Sequence, residues 1–464
     1  MAPKFGFGPD DPGDSENSEN SENSENSQQP FGLNPPDMQA LMAQFESMGI
    51  NPETIFSQLS QASGILGFNP LTGAATNSTS LVPLETIREI GRQFIAAQSQ
   101  LPVGTVDLTK SSAALDLADL WLNDVTIFPA LTRHPASAWS RREWLEASVE
   151  GWQKLVEPLA NGMAGALGSI VEHSDTEDQL DSASGDRDNP LNSLPAMLPI
   201  LRSVMGTLFA TQLGNSVGAL ALTVTGSNDV ALPLFKSFNA HLIPQNAIGW
   251  GEGLDIPEDE IRIFLALRES ATARLFAHTP WLSQYIYDAV SSYATGIRID
   301  IQTMQEQAES AMNTGELDLN NPQSIQIAIN QGLFTPEQTP KQEAALARLE
   351  IALALIEGWI DHVTTRAAAE RLPSYSALSE TLRRRRATSA PTQQLFSMLF
   401  GLEVSPRKSR ECTKFWSDVN TIGGLELRDG RWEDPALLPT TDEISDAAKF
   451  LESTTVPDDL SGLI

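Results

Sequence analysis

The 464-residue sequence has little cysteine and little positive charge. Cys412 is the only cysteine, which excludes an internal disulfide, a cysteine-based zinc site and an iron–sulfur cluster. Lysine and arginine number 30 against 60 aspartates and glutamates, and the formal net charge is −30. Nucleic acids and anionic membrane surfaces bind basic proteins, so this balance argues against both as partners.

The negative charge is concentrated in three segments. Residues 1–36, 172–188 and 433–464 carry net charges of −6, −6 and −7, which together make up 19 of the 30 negative charges. The first segment contains a tandem Ser-Glu-Asn repeat from Ser15 to Asn26, without apolar periodicity. Such a sequence cannot offset the conformational entropy that ordering costs. We predict a disordered tail over residues 1–36 and an acidic loop near 172–190.

Long apolar runs are scarce as well. Residues 194–223 are nearly long enough to span a bilayer, which takes about 20 apolar residues. They contain Arg202, Gln212 and Asn215 and lack flanking basic residues, so a buried helix is favoured over a membrane segment. The first residues show no apolar signal-peptide core, and we therefore expect a cytoplasmic protein without membrane insertion.

Apolar residues recur at helical spacing, and no segment shows the sustained alternation of a strand. We therefore predict a mainly α protein. Residues 37–80 are predicted as a short helical segment and linker, 81–455 as the main helical domain and 456–464 as a tail. Ser140 and Glu143 have the spacing of a capping box. Helices are predicted after Ser140 and over residues 83–100, 111–123, 194–223, 257–277, 281–296, 298–312, 340–370, 375–387, 392–400 and 408–418, with short strands or loops at Asp229–Leu234 and Ala240–Asn246.

One dense basic run interrupts the acidic sequence. Arg383–Arg386 lies at the end of the predicted 375–387 helix. A solvated helix end is the ordinary interpretation of such a run. Contact with nucleic acid, with an acidic partner or with an acidic tail of this chain is the alternative.

A carboxylate pair within an apolar helix is the first candidate functional feature of the sequence. Glu357 and Asp361 are four residues apart and share a helix face. Burying two carboxylates costs free energy unless they bind a metal, a base or hydrogen-bond donors. A metal or catalytic role and a structural salt bridge, for example to Arg268 or Arg274, are both open.

Seven short segments between residues 80 and 455 carry a resemblance to a known family. In their order and spacing the chain resembles the zincin-like hydrolases of actinobacteria, which are described as zinc-dependent metalloproteases. The resemblance implies a zincin-like helical domain and a peptide or protein substrate. The segments are Ala210–Gly218 (ATQLGNSVG), Asp229–Leu234 (DVALPL), Ala266–Ser270 (ALRES), Arg274–Trp281 (RLFAHTPW), Ala354–Trp359 (ALIEGW), Arg383–Arg386 (RRRR) and Leu438–Asp442 (LPTTD).

The family's chemistry rests on an HExxH helix, in which two histidines hold zinc and the glutamate acts as general base on a zinc-bound water. On this chain the motif falls on Arg268–Thr272. The resemblance implies Glu269 as the catalytic base and Glu357 as a metal ligand, with Asp361 beside it. Arg268 and Thr272 stand at the two histidine positions, and neither side chain is a good zinc ligand.

The histidines elsewhere leave alternatives open. His278 lies ten residues after Arg268, the offset of a third zinc histidine in one zincin subgroup, so it is either a metal ligand or a helix-end histidine. A composite site of His278, Glu357 and His362 is a further alternative. The replaced histidines make zinc doubtful. Two functions remain: a zinc-dependent metalloprotease or hydrolase, and a degenerate zincin-like binding or scaffolding module in which Arg268 replaces the metal by pairing with Glu357 or Glu269.

Overall fold

The computed structural model describes residues 80–98, 101–132, 137–181, 194–297, 339–368, 370–389 and 406–454. Within these ranges the regular structure is helical, and the predicted mainly α class is confirmed. Several predictions lie outside the described residues. They are the N-terminal tail, nearly all of segment 37–80, the C-terminal tail and the helices at 298–312 and 392–400.

The described helices are numbered here in chain order. They are α1 Leu84–Ala96, α2 Thr105–Leu122, α3 Arg141–Asp181, α4 Leu194–Ala221, α5 Pro244–Gly251, α6 Glu258–His278, α7 Pro280–Ala294, α8 Pro340–Ala368, α9 Tyr375–Ser389, α10 Pro406–Gly430 and α11 Ala447–Thr454. Short 3₁₀ turns at Pro435–Leu437 and Glu443–Ser445 separate α10 from α11.

The ends of α3 confirm one prediction and correct another. The Ser140 N–H donates to Glu143 Oε2 at 2.6 Å, and the Glu143 N–H donates to Ser140 Oγ at 3.2 Å, as the capping box predicts. The helix then continues to Asp181, so the first ten residues of the predicted acidic loop, 172–181, are helical. The sequence from 169 to 184 contains neither glycine nor proline, and nothing in it therefore stops the helix earlier.

The apolar stretch at 194–223 forms α4. No helix among the described residues combines the length and apolarity needed to cross a membrane. Gly214 and Gly218 of α4 face α1, where a β-carbon would come within 2.8 Å of Ile90 and Phe94. The two glycines therefore let α1 pack closely on α4.

Helices α6 and α8 lie at the centre of the fold. Every residue from Phe264 to Phe276 of α6 is buried, and so is every residue from Ile351 to Thr364 of α8 except Glu357. Helix α6 packs against α2, α5 and α8, while α8 also packs against α7 and α10. A helix buried on all sides has to satisfy its polar side chains within the protein.

The connection between α4 and α5 is irregular. Residues 225–243, called the 225–243 loop below, include Asp229–Leu234 and part of Ala240–Asn246, for which short strands or loops were predicted. They form turns and loops, with isolated bridges that join Leu242 to Gly226 and to Ala138, and residues 244–246 belong to α5. Pro233 and Pro244 limit regular pairing here, because proline lacks the N–H that a strand ladder needs.

Candidate functional site

Arg268 on α6 bridges the two carboxylates of α8. Its Nη2 lies 2.5 Å from Glu357 Oε1, and its Nη1 lies 2.6 Å from Asp361 Oδ1. The four-residue spacing of the carboxylates stacks them on one face of α8, so one planar guanidinium reaches both. This contact confirms that Glu357 and Asp361 share a face and that Arg268 pairs with them. Arg274 instead binds Asp119 and the carbonyl oxygen of Phe128.

Helix α9 brings further arginines to the same carboxylates. Arg386 binds Glu357 and lies 3.6 Å from Asp229 Oδ1, while Arg383 lies 3.6 Å from Asp361 Oδ2. Arg383 is exposed, as a solvated helix end predicts, whereas Arg386 is only partly exposed. The solvated interpretation did not include the carboxylates of α8 that both arginines approach.

The surrounding charges fix the ionisation of Glu357. Burial alone would raise the pKa of its carboxyl, but the charges of Arg268 and Arg386 outweigh burial and lower that pKa. Burial likewise opposes the charge of Arg268, whose pKa is nevertheless raised by Glu357 and Asp361. Arg268 and Glu357 thus stabilise each other's charged form.

Glu269 is held by a different kind of partner. Its Oε1 accepts hydrogen bonds from Ser227 Oγ (2.5 Å), from the Asn228 N–H (3.0 Å) and side-chain amide (2.8 Å), and from the His241 N–H (3.3 Å). Gly226 lies so close that a β-carbon there would collide with Glu269 Oε2. Burial raises the pKa of Glu269 to about 7, although the bonds from Ser227, Asn228 and His241 act to lower it.

The positions singled out by the sequence meet at one small cavity of about 20 Å³. Arg268, Glu269, Thr272 and Glu357 all line it, and the volume suffices for about one water molecule. The Thr272 hydroxyl donates to the carbonyl oxygen of Arg268 at 2.9 Å and so stays within α6. The other lining residues are Thr225, Asp229, Ala231, Leu265, Ile360, Leu382 and Arg386.

Comparisons with known proteins bear on the family and the fold of the chain. A family model described as zincin-like metallopeptidase matches residues 82–451. The chain belongs to the zincin-like metallopeptidase family. Its fold also resembles the crystal structure of a candidate hydrolase with a novel fold from Chloroflexus aurantiacus, with a TM-score of 0.52 and 18% identity over 80% of this chain and 98% of that chain. No curated protein matches the chain.

The zinc that the family name implies does not fit the side chains of this site. Zinc takes nitrogen, sulfur or carboxylate donors, usually three or four from the protein. In the part of the chain that the structure describes, no group of three His, Cys, Asp or Glu side chains is arranged to hold a metal ion. The guanidinium of Arg268 lies between Glu357 and Asp361, where it binds the carboxylates that a metal would need.

The two histidines proposed as further ligands lie apart from the cavity. His278 is exposed at the end of α6, with Nε2 3.0 Å from the carbonyl oxygen of Pro129 and its ring stacked on Phe128. His362 is buried, and its pKa is lowered to about 4 by burial and by the charges of Arg428 and Arg366. Neither histidine lines the cavity with Glu357. The structure therefore does not support His278 as a metal ligand, nor a composite site of His278, Glu357 and His362.

Several residues of the site were missed by sequence reasoning. Ser227 and Asn228 supply donors to Glu269, and Asp229 faces Arg386. Ser227 and Asn228 belong to none of the segments quoted for the family, and Asp229 begins one of them without having been given a role; all three lie about 40 residues before Glu269 in the sequence. The signal that could have found them is Glu269 itself, because a carboxyl on an otherwise buried helix needs donors from another segment.

Proposed function

We propose that this member of the zincin-like metallopeptidase family holds no zinc at the family's metal position and serves as a peptide- or protein-binding module. The bridge from Arg268 to Glu357 and Asp361 is the observation that carries the proposal. Arginine stays protonated in proteins and cannot donate a lone pair to a metal. With that guanidinium in place, the site lacks both the two histidines and a free Glu357.

The bridge also explains how the fold tolerates the loss of zinc. A metal ion neutralises the carboxylate that binds it, and without a cation the partly buried Glu357 would carry an uncompensated charge. Arg268 supplies that positive charge from the first motif position, and Arg386 adds a second one from α9. The charge balance of the site is kept, whereas the activation of a metal-bound water is not.

Restoring the motif tests the proposal. We expect the purified native chain to contain no stoichiometric zinc. The double variant Arg268→His/Thr272→His, which recreates HExxH, should bind about one zinc ion per chain through both histidines and Glu357. Inductively coupled plasma mass spectrometry after dialysis measures the zinc, and circular dichroism checks the fold.

A triple variant provides the matched control. Adding Glu357→Gln to the two histidines should reduce the zinc content again, because only two strong ligands remain. Tightly held zinc in the native chain, or peptide cleavage by the native chain that a chelator abolishes, would overturn the proposal. The measurement on the native chain stands even where the variants fold poorly.

One observation favours a second function, hydrolysis without a metal. The pKa of Glu269, raised by burial to about 7, suits a general base at neutral pH, and the cavity beside it has room for about one water. Under this alternative, cleavage of peptide or ester substrates is insensitive to chelators. Glu269→Gln should then lower kcat by about 10²-fold or more, whereas a binding module shows no turnover to lose.

A further inference from the structure

A second, much larger cavity borders the same 225–243 loop. Its volume is about 710 Å³, within the range of sites that bind small molecules or short peptide segments. It is lined by residues of α3, by residues of α7 and by the part of the loop from Pro233 to His241. It shares no lining residue with the small cavity at Arg268.

Aromatic side chains form the apolar part of the wall. Trp139 stacks on His241, with ring centroids 3.9 Å apart, and lies 5.7 Å from the ring of Phe235. Phe238 stacks on Phe276 of α6 at 4.8 Å. Trp139, Phe235 and Phe238 are only partly buried, so each is anchored on one side and leaves surface for an apolar ligand on the other.

Some charged side chains of the cavity form ion pairs, and Lys154 does not form one with a described residue. Glu150 pairs with Lys236 at 2.8 Å, and Glu146 pairs with Arg92 at 2.5 Å. The Lys154 ammonium instead lies 3.9 Å from the centroid of the Tyr287 ring. No carboxylate of a described residue forms an ion pair with Lys154, so the cavity presents one cation to an incoming anion.

The ring beneath Lys154 is itself fixed. The Tyr287 hydroxyl donates to the carbonyl oxygen of Pro233 at 2.6 Å, which ties α7 to the 225–243 loop. Lys154 is thereby held next to the aromatic wall rather than at a distance from it. A ligand that fits both features has an apolar body and a negative end.

We propose that this cavity binds an apolar carboxylate, with its aromatic or large aliphatic group against Trp139, Phe235 and Phe238 and its carboxylate on Lys154. A peptide C-terminus that ends in a large apolar residue and a free aryl carboxylic acid share this chemistry. The site is separate from the motif position on α6 and does not depend on the zinc content of that position.

Calorimetric titration of the full chain tests the site with matched probes. The probes are N-acetyl-glycyl-phenylalanine, its C-terminal amide and 3-phenylpropanoate. We expect the peptide acid to bind about three- to tenfold more tightly than its amide, because only the acid pairs with Lys154. Tighter binding of the peptide acid than of 3-phenylpropanoate indicates a peptide C-terminus as the ligand, and the reverse order indicates a free acid.

Variants separate the two halves of the site. Lys154→Gln should weaken the acid by the same three- to tenfold factor and leave the amide unchanged. Trp139→Leu should weaken acid and amide alike by about tenfold or more. Lys110→Gln, at an exposed lysine of α2, is the control and should change neither affinity.

Three results would overturn the proposal. They are equal affinities for the acid and the amide, undiminished binding of the acid by Lys154→Gln, and no binding of any probe at millimolar concentration. None of these results changes the zinc content of the native chain or of the Arg268→His/Thr272→His variant. Failure here is therefore distinguishable from failure of the proposed function.

Discussion

Glu269 and Glu357 face one small cavity from two central helices, yet their partners differ in kind. Glu357 binds the guanidinium groups of Arg268 and Arg386, which lower its pKa against the effect of burial. Glu269 binds the hydroxyl of Ser227 and the amide groups of Asn228, and burial raises its pKa to about 7.

The difference shows that the partner's charge, rather than the burial of the side chain, decides ionisation at this site. Neutral donors stabilise a carboxylate only in part, whereas a guanidinium at hydrogen-bond distance compensates its full charge. At neutral pH the Glu357 side of the cavity is a fixed charge cluster, and the Glu269 side is titratable. Environments that shift the pKa values of two neighbouring carboxyl groups in opposite directions are typical of acid–base sites.

Removing the cation should have the largest effect. Among the described residues, Arg268→Ala leaves the more distant Arg383 as the cation beside Asp361 and Arg386 as the cation beside Glu357. Breaking a buried ion pair from one side costs about 3–5 kcal/mol, because the other charge stays buried without its partner. We expect the free energy of unfolding at pH 7 to fall by about that amount, measured by urea unfolding with tryptophan fluorescence.

Arg384→Ala is the control for that experiment. Arg384 pairs with Glu380 on the exposed face of α9, and exposed pairs within a helix contribute about 0.5 kcal/mol or less. Equal losses of stability in the two variants would contradict the buried charge cluster. A loss in Arg268→Ala that disappears when Glu357→Gln and Asp361→Asn are added would support it.

The pH dependence of stability tests the Glu269 side. In the unfolded chain a glutamate ionises near its ordinary pKa of 4.5, whereas folded Glu269 keeps its proton until about pH 7. Between these values the folded state binds more protons than the unfolded state, so this group makes stability fall as the pH rises and become constant above pH 7. Glu269 changes the free energy of unfolding by about 3 kcal/mol at most over this pH range. Glu269→Gln should remove this change.

The contribution of His362 to the pH dependence of stability has the opposite sign and falls in nearly the same pH range. Its folded pKa is lowered to about 4 from 6.5, so the unfolded state binds the additional proton, and stability from this group falls as the pH falls from 6.5 to 4. The native profile therefore combines two opposing slopes. The difference between the native and Glu269→Gln profiles isolates Glu269, and a flat difference would contradict the raised pKa. Glu343→Gln, at an exposed position of α8, is the control.

The contrast between the two carboxylates also shows how far the sequence leads. The spacing of Glu357 and Asp361 predicts their common face, and their apolar surroundings predict that they bind a metal, a base or hydrogen-bond donors. Arg268 was among the expected partners, and all three residues lie in segments that were predicted as helices. The family resemblance was needed to place Glu269 and Thr272 at the same site.

The donors to Glu269 could not be predicted in the same way. Ser227, Asn228 and His241 lie on a loop without periodicity, and their approach to α6 depends on turns and on the missing side chain of Gly226. The ion pairs of the α9 arginines could not be predicted for a related reason. A run of four arginines looks solvated in isolation, and only the tertiary structure shows the carboxylates that Arg383 and Arg386 approach.

The smallest expected effect concerns the second guanidinium on Glu357. Arg386 is 30% exposed, and Arg268 continues to bind Glu357 when Arg386 is removed. Arg386→Gln should therefore lower the free energy of unfolding by only about 1 kcal/mol at pH 7. In a double-mutant cycle with Glu357→Gln, urea unfolding should give a coupling energy of similar size. Because the charges of Arg268 and Arg386 lower the pKa of Glu357, the coupling should persist through the ordinary glutamate value of 4.5 and shrink only at lower pH, whereas a coupling that is independent of pH would mean that Arg386 acts through packing alone.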